Sequence, residues 1–340
     1  MRLIINDIEL KESMRPFSAT KHVANIRLGF FSIFEKWKLL SGVDVLLVSG
    51  KHDFVEGDVE IPCSYIPTAE DYLQIIESCK TKETLPPEFR LLKYPWDFVK
   101  NNEWAIRRDY DILMNSISGT KSNLFKEQNS VIGNCIINTS DGPVYIGKNA
   151  VVMDGAVIKG PAAICEGAVV KMGSKIYPGT TVGMFSSAGG EIKNSIIGDF
   201  SNKSHDGYMG DSIIGEWCNV GAGTEISNVK NSGGDVFYES PYFSEKINVG
   251  KKAGLIMGDY SRLAINSSVN TATIIGVCCN YFSRELTPKF IPDFSWGDQK
   301  YDFAKAIEDI NNWKKFKDGA LSESETQTLQ SLYYKTFDNA

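Results

Sequence analysis

One histidine of this chain lies in a segment rich in side chains that can accept or donate a proton. His205 stands in the segment Ser-Asn-Lys-Ser-His-Asp-Gly-Tyr-Met-Gly-Asp, which covers residues 201–211. Judged on spacing alone, it is a surface histidine on a turn. A histidine, whose ordinary pKa of about 6.5 lies near neutrality, is also suited to act as a general base. The polar side chains that accompany it along the chain are Lys193, Tyr208, Asn219 and Asn228.

An internal repeat would bring these polar residues together. Aliphatic residues recur every six positions as Ile146, Val152, Ile158, Ile164, Val170, Ile176 and Val182, and the series resumes at Ile214, Val220 and Ile226 and at Met257, Leu263, Val269 and Ile275. Small residues lie between them at Ala150, Ala156, Ala162, Ala168, Ser174 and Thr180. This period fits neither an α-helix nor a plain strand, and it is typical of a parallel β-helix with the aliphatic residues inside. Residues a few coils apart then become neighbours and can line one cleft.

The repeat is interrupted at residues 184–196 and again at residues 227–250. The second interruption is rich in Asn, Ser, Gly and Lys, so we predict a loop that leaves the coil. Insertions of this kind often carry binding residues.

The segments on either side of the repeat follow different patterns. Before it, we predict strands at residues 3–6 and 43–49 and helices at 30–40, 68–79 and 97–115, a small α/β pattern. After it, helical spacing at Phe303, Ile307, Ile310 and Trp313, followed by a capping box from Ser322 to Glu325, predicts a helical hairpin packed on the coil end. The predicted division is an α/β domain at 1–100, a helical linker at 101–127, the β-helix at 128–285 and a C-terminal helical segment at 286–340.

Composition excludes several classes of protein. The net charge of −6 argues against a dedicated nucleic-acid binder. No long apolar run and no signal-like N-terminal stretch occur, so we expect a cytoplasmic protein. Seven cysteines without C-x-x-C pairs and only three histidines argue against a disulfide framework and against a metal site.

Four motifs carry a family resemblance. Gly190-Glu191-Ile192-Lys193, His205-x-x-Tyr208-x-Gly210-Asp211, Ile214-Gly215 and Asn219-Val220-Gly221-Ala222-Gly223-Thr224 closely resemble the acetyltransferase half of the bifunctional UDP-N-acetylglucosamine pyrophosphorylase/glucosamine-1-phosphate N-acetyltransferase family. The whole chain looks like a shorter branch of that family, whose members are described either as an alternative bifunctional form or as sugar nucleotidyltransferases. Marks of the branch are Pro16-Phe17 through Arg27-Leu28-Gly29, Pro95-Trp96-Asp97, Gly215-Glu216-Trp217-Cys218-Asn219 and Phe294-Ser295-Trp296-Gly297.

The resemblance implies a left-handed parallel β-helix, homotrimers with active sites between subunits, and acetyl transfer from acetyl-CoA to an amino-sugar 1-phosphate. His205 would be the general base, Lys193 would pair with the sugar phosphate, and Tyr208 and Asn219 would hydrogen-bond the sugar or its phosphate. Ala222 and Asn228 would contact acetyl-CoA. Structural interpretations remain open beside these: a solvated charge for Lys193, an edge residue for Tyr208 and a ladder residue for Asn219.

The chain also departs from the family pattern. Tyr177, Val229, Gly234 and Ile265 occupy positions where the resemblance implies arginine, tyrosine, lysine and serine respectively. Lys175 and Lys230 are the candidates to replace the missing phosphate ligands. These differences leave the identity of the sugar phosphate and of the acyl donor open.

The N-terminal segment lacks the Gly-rich loop that cradles a triphosphate. Its available cations are Arg15, Lys21 and Arg27, and its available carboxylates are Asp7 and Asp44. We predict a reduced nucleotidyltransferase-like domain that is inactive or only binds a sugar nucleotide, with Mg²⁺ needed only if it is active. The alternatives are a sugar-1-phosphate nucleotidyltransferase, of the UDP-N-acetylglucosamine pyrophosphorylase or glucose-1-phosphate thymidylyltransferase type, with a trimerising β-helix, and a non-catalytic sugar-nucleotide-binding protein.

Overall fold

The computed structural model describes residues 1–83, 89–116 and 122–337. From Leu124 onward the chain winds into a coil in which each turn adds one short strand to each of three sheets. Nearly all neighbouring strands of these sheets are parallel, the antiparallel last strand of the second sheet being the exception. The predicted fold class, a left-handed parallel β-helix of hexapeptide repeats, is confirmed.

The three sheets are numbered in the order in which the chain first enters them. Sheet 1 contains Leu124–Lys126, Val144–Ile146, Ala162–Ile164, Thr180–Val182, Ile196–Ile197, Ile213–Ile214, Ile256–Met257, Ile274–Ile275 and Phe290–Ile291. Sheet 2 contains Val131–Ile132, Val151–Val152, Val169–Val170, Ser187–Ala188, Asn202–Lys203, Asn219–Val220, Arg262–Leu263, Asn280–Tyr281, Ser295–Trp296 and Gln299–Lys300. Sheet 3 contains Ile136–Asn138, Val157–Lys159, Lys175–Ile176, Glu191–Lys193, Tyr208–Gly210, Glu225–Ile226 and Ser268–Val269.

The inside of the coil is filled by the aliphatic residues of the repeat. Every member of the series from Ile146 to Val182 is at most 2% exposed, and the small residues between them are fully buried. The shorter series that begin at Ile214 and Met257 join the same core. The predicted inward face is therefore confirmed, and burial of these aliphatic groups stabilises the coil.

The two interruptions of the repeat have different structures. Strands continue through residues 184–196, but Ile192 follows Ala188 by only four residues because Gly189-Gly190 forms a shortened corner. The second interruption leaves the coil, as predicted, and contains an antiparallel hairpin of Val236–Tyr238 and Ile247–Gly250.

The N-terminal part has the predicted α/β pattern. Strands Arg2–Asn6, Val45–Val48 and Asp58–Pro62 form a parallel sheet with Arg2–Asn6 in the centre, and Arg27–Leu28 pairs with Phe31–Ser32. The helices are α1 (Ile33–Ser41), α2 (Tyr72–Thr81) and α3 (Pro95–Asn115), with short 3₁₀ turns at Phe17–Ala19 and Val23–Asn25. Helix α3 runs across residue 100, where the sequence predicts a domain boundary; the proposed division into domains stays a prediction.

The N-terminal part is fixed to the coil by apolar packing and by buried ion pairs. Ile196, Ile213, Ile256 and Ile274 of sheet 1 point outward into the N-terminal core. Arg27 donates two hydrogen bonds to Asp199, at 2.9 and 2.8 Å. Lys21 pairs with Glu216 and, at 3.0 Å, with Asp259, and Arg15 pairs with Asp293. The three cations that the sequence offers for a triphosphate are thus all occupied by carboxylates of the coil.

Two C-terminal helices, α4 (Phe303–Lys315) and α5 (Glu323–Phe337), form the predicted hairpin. The capping box is present, since Ser322 and Glu325 exchange backbone-to-side-chain hydrogen bonds of 3.1 and 2.7 Å. The hairpin packs along the corner between sheets 1 and 2, against Tyr260, Cys278 and Phe294, and it also contacts the last strand of the coil, where Lys300 lies over the Tyr333 ring. In the part of the chain that the structure describes, no helix is long and apolar enough to cross a membrane.

Candidate functional site

Sheet 3 presents Lys193 and Tyr208 on neighbouring coils. Strand Glu191–Lys193 lies beside Tyr208–Gly210, with Glu191 opposite Tyr208 and Lys193 opposite Gly210. Neighbouring strands lie about 4.8 Å apart, so side chains of these two coils are within reach of each other. Ile192 and Met209 alternate with them and point into the core, which leaves Lys193 and Tyr208 on the outer face.

The phenol of Tyr208 is held in place by Asn228. The side-chain amide of Asn228 donates to the Tyr208 hydroxyl at 3.2 Å. A Cβ atom at Gly210 would lie 2.3 Å from that hydroxyl, so glycine is needed here to make room for the ring. Burial raises the pKa of Tyr208, and nearby Asp211 raises it further. The phenol therefore keeps its proton and can donate a hydrogen bond to a ligand.

A carboxylate ties three coils together beside this phenol. Asp211, at the corner between sheets 3 and 1, accepts a hydrogen bond of 2.7 Å from Asn194 and another from Asn228. The side-chain nitrogen of Asn228 thus donates to both Tyr208 and Asp211. Its side-chain oxygen, Oδ1, is the atom left for the predicted contact with acetyl-CoA. That contact stays a prediction.

Lys193 is exposed on the outer face of sheet 3. Its ammonium lies 5.9 Å from the centre of the Tyr177 ring. Within residues 1–83, 89–116 and 122–337, no carboxylate forms an ion pair with Lys193. An ammonium in this setting is available to an anionic group such as a phosphate. Tyr177, which stands where the resemblance implies arginine, supplies an aromatic face instead.

His205 occupies the corner between sheets 2 and 3, three residues before Tyr208 in the same coil. Its side chain is exposed, and among the described residues nothing hydrogen-bonds its imidazole. The turn around it is held from the next coil, because Gly223 donates to the Asp206 carbonyl at 3.1 Å and Tyr208 donates its backbone N–H to Glu225 at 2.8 Å. The imidazole is therefore available at the edge of the face that carries Tyr208.

Asn219 lies on the sheet 2 side of that corner, and Ala222 lies in the corner itself, one coil after His205. Asn219 is an outward residue of sheet 2, paired in register with Asn202 and Arg262. Ala222 lies in the turn after it and accepts a backbone hydrogen bond of 2.7 Å from Asn266. The structure thus brings Lys193, Tyr208, Asn228 and His205 to one face and its edge, and it places Asn219 on a different sheet.

Two acidic residues join the site that sequence reasoning did not single out. Glu191 and Asp211 both lie inside motifs that carry the resemblance, but only the strand register puts them beside Tyr208. Of the two candidate replacement lysines, Lys175 is exposed opposite Glu191. Lys230 donates to the Asp235 carbonyl and lies 5.4 Å from the Phe237 ring, so it is engaged within its own hairpin.

The N-terminal part has a cleft of about 640 Å³ at the carboxyl ends of its strands, lined in part by Asn6, Glu60 and Lys80. The two carboxylates that the sequence offers for Mg²⁺ are not brought together. Asp7 follows the carboxyl end of strand Arg2–Asn6 and accepts a hydrogen bond of 2.9 Å from the Val23 N–H, whereas Asp44 precedes the amino end of strand Val45–Val48. No group of three or more His, Cys, Asp or Glu side chains among the described residues is placed to hold a metal ion.

Comparison with known proteins agrees with the resemblance seen in the sequence motifs. No family model matches the chain. It is 30% identical over 186 residues to the bifunctional sugar-1-phosphate nucleotidylyltransferase/acetyltransferase of Sulfurisphaera tokodaii, which covers 54% of this chain and 42% of that protein. It is 37% identical over 103 residues to the bifunctional protein GlmU of Ruthia magnifica, covering 30% of this chain and 20% of that protein. This chain is similar to the bifunctional GlmU proteins.

The GlmU-like similarity extends over part of each relative. In Bartonella quintana the bifunctional protein GlmU is 26% identical over 233 residues, covering 63% of this chain and 47% of that protein. The chain thus spans less than half the length of these relatives. Among solved structures, the acetyltransferase domain of PglB from Neisseria gonorrhoeae in complex with acetyl coenzyme A matches at 14% identity, 66% of this chain, 95% of that chain and a TM-score of 0.24. A score this low does not establish a common fold.

Proposed function

We propose that this protein is an N-acetyltransferase that uses acetyl-CoA to acetylate the amine of an amino-sugar 1-phosphate. The observation that carries the proposal is the outer face of sheet 3. That face carries the exposed ammonium of Lys193 and the protonated phenol of Tyr208, and His205 lies at the corner before it; among the described residues no carboxylate pairs with Lys193 and nothing hydrogen-bonds the His205 imidazole. Similarity to the bifunctional GlmU proteins supports the same activity.

Each group has a distinct role in the proposed reaction. Lys193 binds the phosphate of the sugar, and Tyr208 donates a hydrogen bond to the sugar or the phosphate. His205 removes a proton from the sugar amine as the nitrogen attacks the thioester carbonyl carbon. The C–N bond forms, the C–S bond breaks, and the CoA sulfur leaves and takes up a proton. The products are an N-acetylamino-sugar 1-phosphate and CoA.

Asn219 enters the proposed site through a second copy of the chain. Sheet 2 and sheet 3 are adjacent faces of one coil, so outward residues on them point in different directions. If sheet 2 of one subunit faces sheet 3 of another, Asn219 of one copy can meet Tyr208 and Lys193 of the next. We propose a homotrimer with three such sites, as the resemblance implies, and we assign Ala222 and the side-chain oxygen of Asn228 to acetyl-CoA.

The proposed substrate class is a glucosamine-1-phosphate-like amino sugar. This reaction belongs to cytoplasmic nucleotide-sugar synthesis, since an N-acetylamino-sugar 1-phosphate is the acceptor of a nucleotidyl group in the next step. The proposal assigns no catalytic step to the N-terminal part, whose three candidate cations are bound to coil carboxylates.

The first test is release of CoA from acetyl-CoA with glucosamine 1-phosphate and with other amino-sugar phosphates. We expect release with one of these sugars, and a decrease of about 10²- to 10⁴-fold in His205→Ala.

His52→Ala is the matched control, because His52 is a partly exposed histidine in the N-terminal part, next to Phe54. It should leave CoA release unchanged, and both variants should unfold at the wild-type temperature. Absence of CoA release with every sugar would contradict the proposed activity. Equal losses in His205→Ala and His52→Ala would contradict the role of His205.

A further inference from the structure

A lysine interrupts the aliphatic interior of the coil two residues before His205. The inward residues of sheet 2 are Val152, Val170 and Ala188 in the preceding coils and Val220 in the next one. Between them the inward position belongs to Lys203, which is only 2% exposed. A charged side chain at such a position is unfavourable unless its polar atoms are hydrogen-bonded.

The ammonium of Lys203 is satisfied by backbone carbonyls. It donates to the carbonyl of His205 at 2.6 Å and to the carbonyl of Gly189, in the preceding coil, at 3.0 Å. Among the described residues no carboxylate forms an ion pair with it. Burial lowers the pKa of Lys203 to about 8, although Glu225 and Asp206 raise it. A methionine would fill this position without placing a charge in the core, so the lysine is poorly explained by stability alone.

The preceding coil is shaped to let the His205 turn come close. A Cβ atom on Gly189 would lie 2.2 Å from the carbonyl oxygen of Ser204, and one on Gly190 would lie 2.7 Å from that of Gly207. On the opposite side, a Cβ atom on Gly207 would lie 2.1 Å from the carbonyl oxygen of Thr224. The His205 turn is thus packed closely between the preceding and the following coil. The Lys203 ammonium links this turn to the Gly189-Gly190 corner, because it donates to carbonyls of both.

We propose that Lys203 is a positioning residue for His205, holding the His205 carbonyl and thereby fixing where the imidazole leaves the corner. The inference rests on the proposed function, in which that imidazole is the base. Lys203 does not touch substrate. It sets the backbone from which the base projects, and a misplacement of about 1 Å at a catalytic group costs about 100-fold in rate.

The test is Lys203→Met, which keeps the length of the side chain and removes its donors. We expect kcat for CoA release to fall about 10-fold or more, while KM for the amino-sugar phosphate changes less than about 3-fold. Met209→Leu is the matched control, since Met209 is the inward residue of sheet 3 in the same coil. It should keep kcat within about 3-fold of wild type.

A second readout does not depend on activity. The chain has only His22, His52 and His205, so the imidazole NMR signals can be assigned with the alanine variants. Lys203→Met should shift the His205 signals and leave those of His22 and His52 in place. If wild type releases no CoA, the proposed function fails, and the NMR shift still decides whether Lys203 positions His205.

Unchanged His205 signals together with wild-type kcat would overturn the proposal. A loss of kcat in Met209→Leu as large as in Lys203→Met would also overturn it, because the effect would then belong to core packing in general. If Lys203→Met does not fold, Lys203→Gln decides by the same readouts: its shorter amide cannot keep both contacts of the ammonium, so the His205 signals should still shift and kcat should still fall.

Discussion

Cations in the two halves of this molecule are used in opposite ways. In the N-terminal part, Arg15, Lys21 and Arg27 reach carboxylates of the coil and are largely withdrawn from solvent. On sheet 3 of the coil, Lys193 is exposed, and no carboxylate of the described residues pairs with it. A cation already paired with a carboxylate holds parts of the protein together, whereas an unpaired exposed ammonium can bind an anionic ligand. The difference locates the proposed chemistry on the coil.

The N-terminal cations also follow the geometry of the coil. Arg27 pairs with Asp199, Lys21 with Asp259 and Arg15 with Asp293. The N-terminal segment therefore runs along the coil axis in the direction opposite to that in which successive coils are added. Each of these aspartates also accepts a backbone N–H from the preceding coil, those of Met184, Glu216 and Val277. The carboxylates therefore serve both the corners of the coil and the attachment of the N-terminal part.

The largest expected effect comes from breaking one of these attachments. Arg27→Met removes a buried guanidinium and leaves Asp199 without its partner, and loss of one member of a buried pair costs about 3–5 kcal/mol. The free energy of unfolding measured by denaturant titration should fall by about this amount. Arg2→Ala is the control, because the Arg2–Asp58 pair is partly exposed and its loss should lower the free energy of unfolding much less. Equal, small losses would mean that the N-terminal cations are not structural.

The next largest effect concerns the exposed ammonium of Lys193. Lys193→Ala should raise KM for the amino-sugar phosphate about 10- to 100-fold, as expected when a hydrogen bond between charged groups worth about 1.5–3 kcal/mol is lost. The unfolding temperature should not change, since Lys193 is exposed. Lys175→Ala, on the neighbouring coil of the same sheet, is the matched control. A larger rise in KM for Lys175→Ala would assign the phosphate to Lys175 instead.

The smallest effect tests a structural carboxylate at the C-terminal hairpin. Burial raises the pKa of Glu325, but hydrogen bonds from Lys314 and Ser322 outweigh it and lower the pKa to about 2. Since the folded-state pKa lies below the unfolded one, the stabilisation is present above about pH 4.5 and is lost as the pH falls toward 2. Glu325 is partly exposed, so we expect about 1 kcal/mol or less.

Glu325→Gln should therefore be less stable than wild type at pH 6, and the difference should shrink below pH 4. Glu323→Gln, in the same first turn of α5, is the control and should show a smaller difference at pH 6. A difference between Glu325→Gln and wild type that stays constant from pH 6 to pH 2.5 would contradict this interpretation.

The repeat predicted the coil well because its signal is local. The aliphatic series from Ile146 to Val182 gives the inward face directly, and the capping box at Ser322 gives the start of α5. The sheet to which Asn219 belongs is harder to predict. Counting in steps of six assigns each strand to a sheet, and the count fails at Gly189-Gly190, where the corner is shorter. Lys203 was missed for a related reason, since a charged residue at an inward position has no hydrophobic signal.

The attachment of the N-terminal part could not be predicted from the sequence. Arg27 and Asp199 are 172 residues apart, and no pattern along the chain indicates that they pair. As free residues in a sequence, Arg15, Lys21 and Arg27 look like phosphate ligands. Only the fold shows that their charges are already balanced by the coil.

The most direct test of this comparison offers the protein both reactions at once. Wild type is incubated with acetyl-CoA, glucosamine 1-phosphate, UTP and Mg²⁺, and the products are identified by mass spectrometry. Acetyl transfer on the coil predicts an N-acetylated sugar 1-phosphate and free CoA, absent in His205→Ala, with no sugar nucleotide and no pyrophosphate. Formation of a sugar nucleotide and pyrophosphate without acetylation would contradict the account, because it would place the chemistry in the N-terminal part.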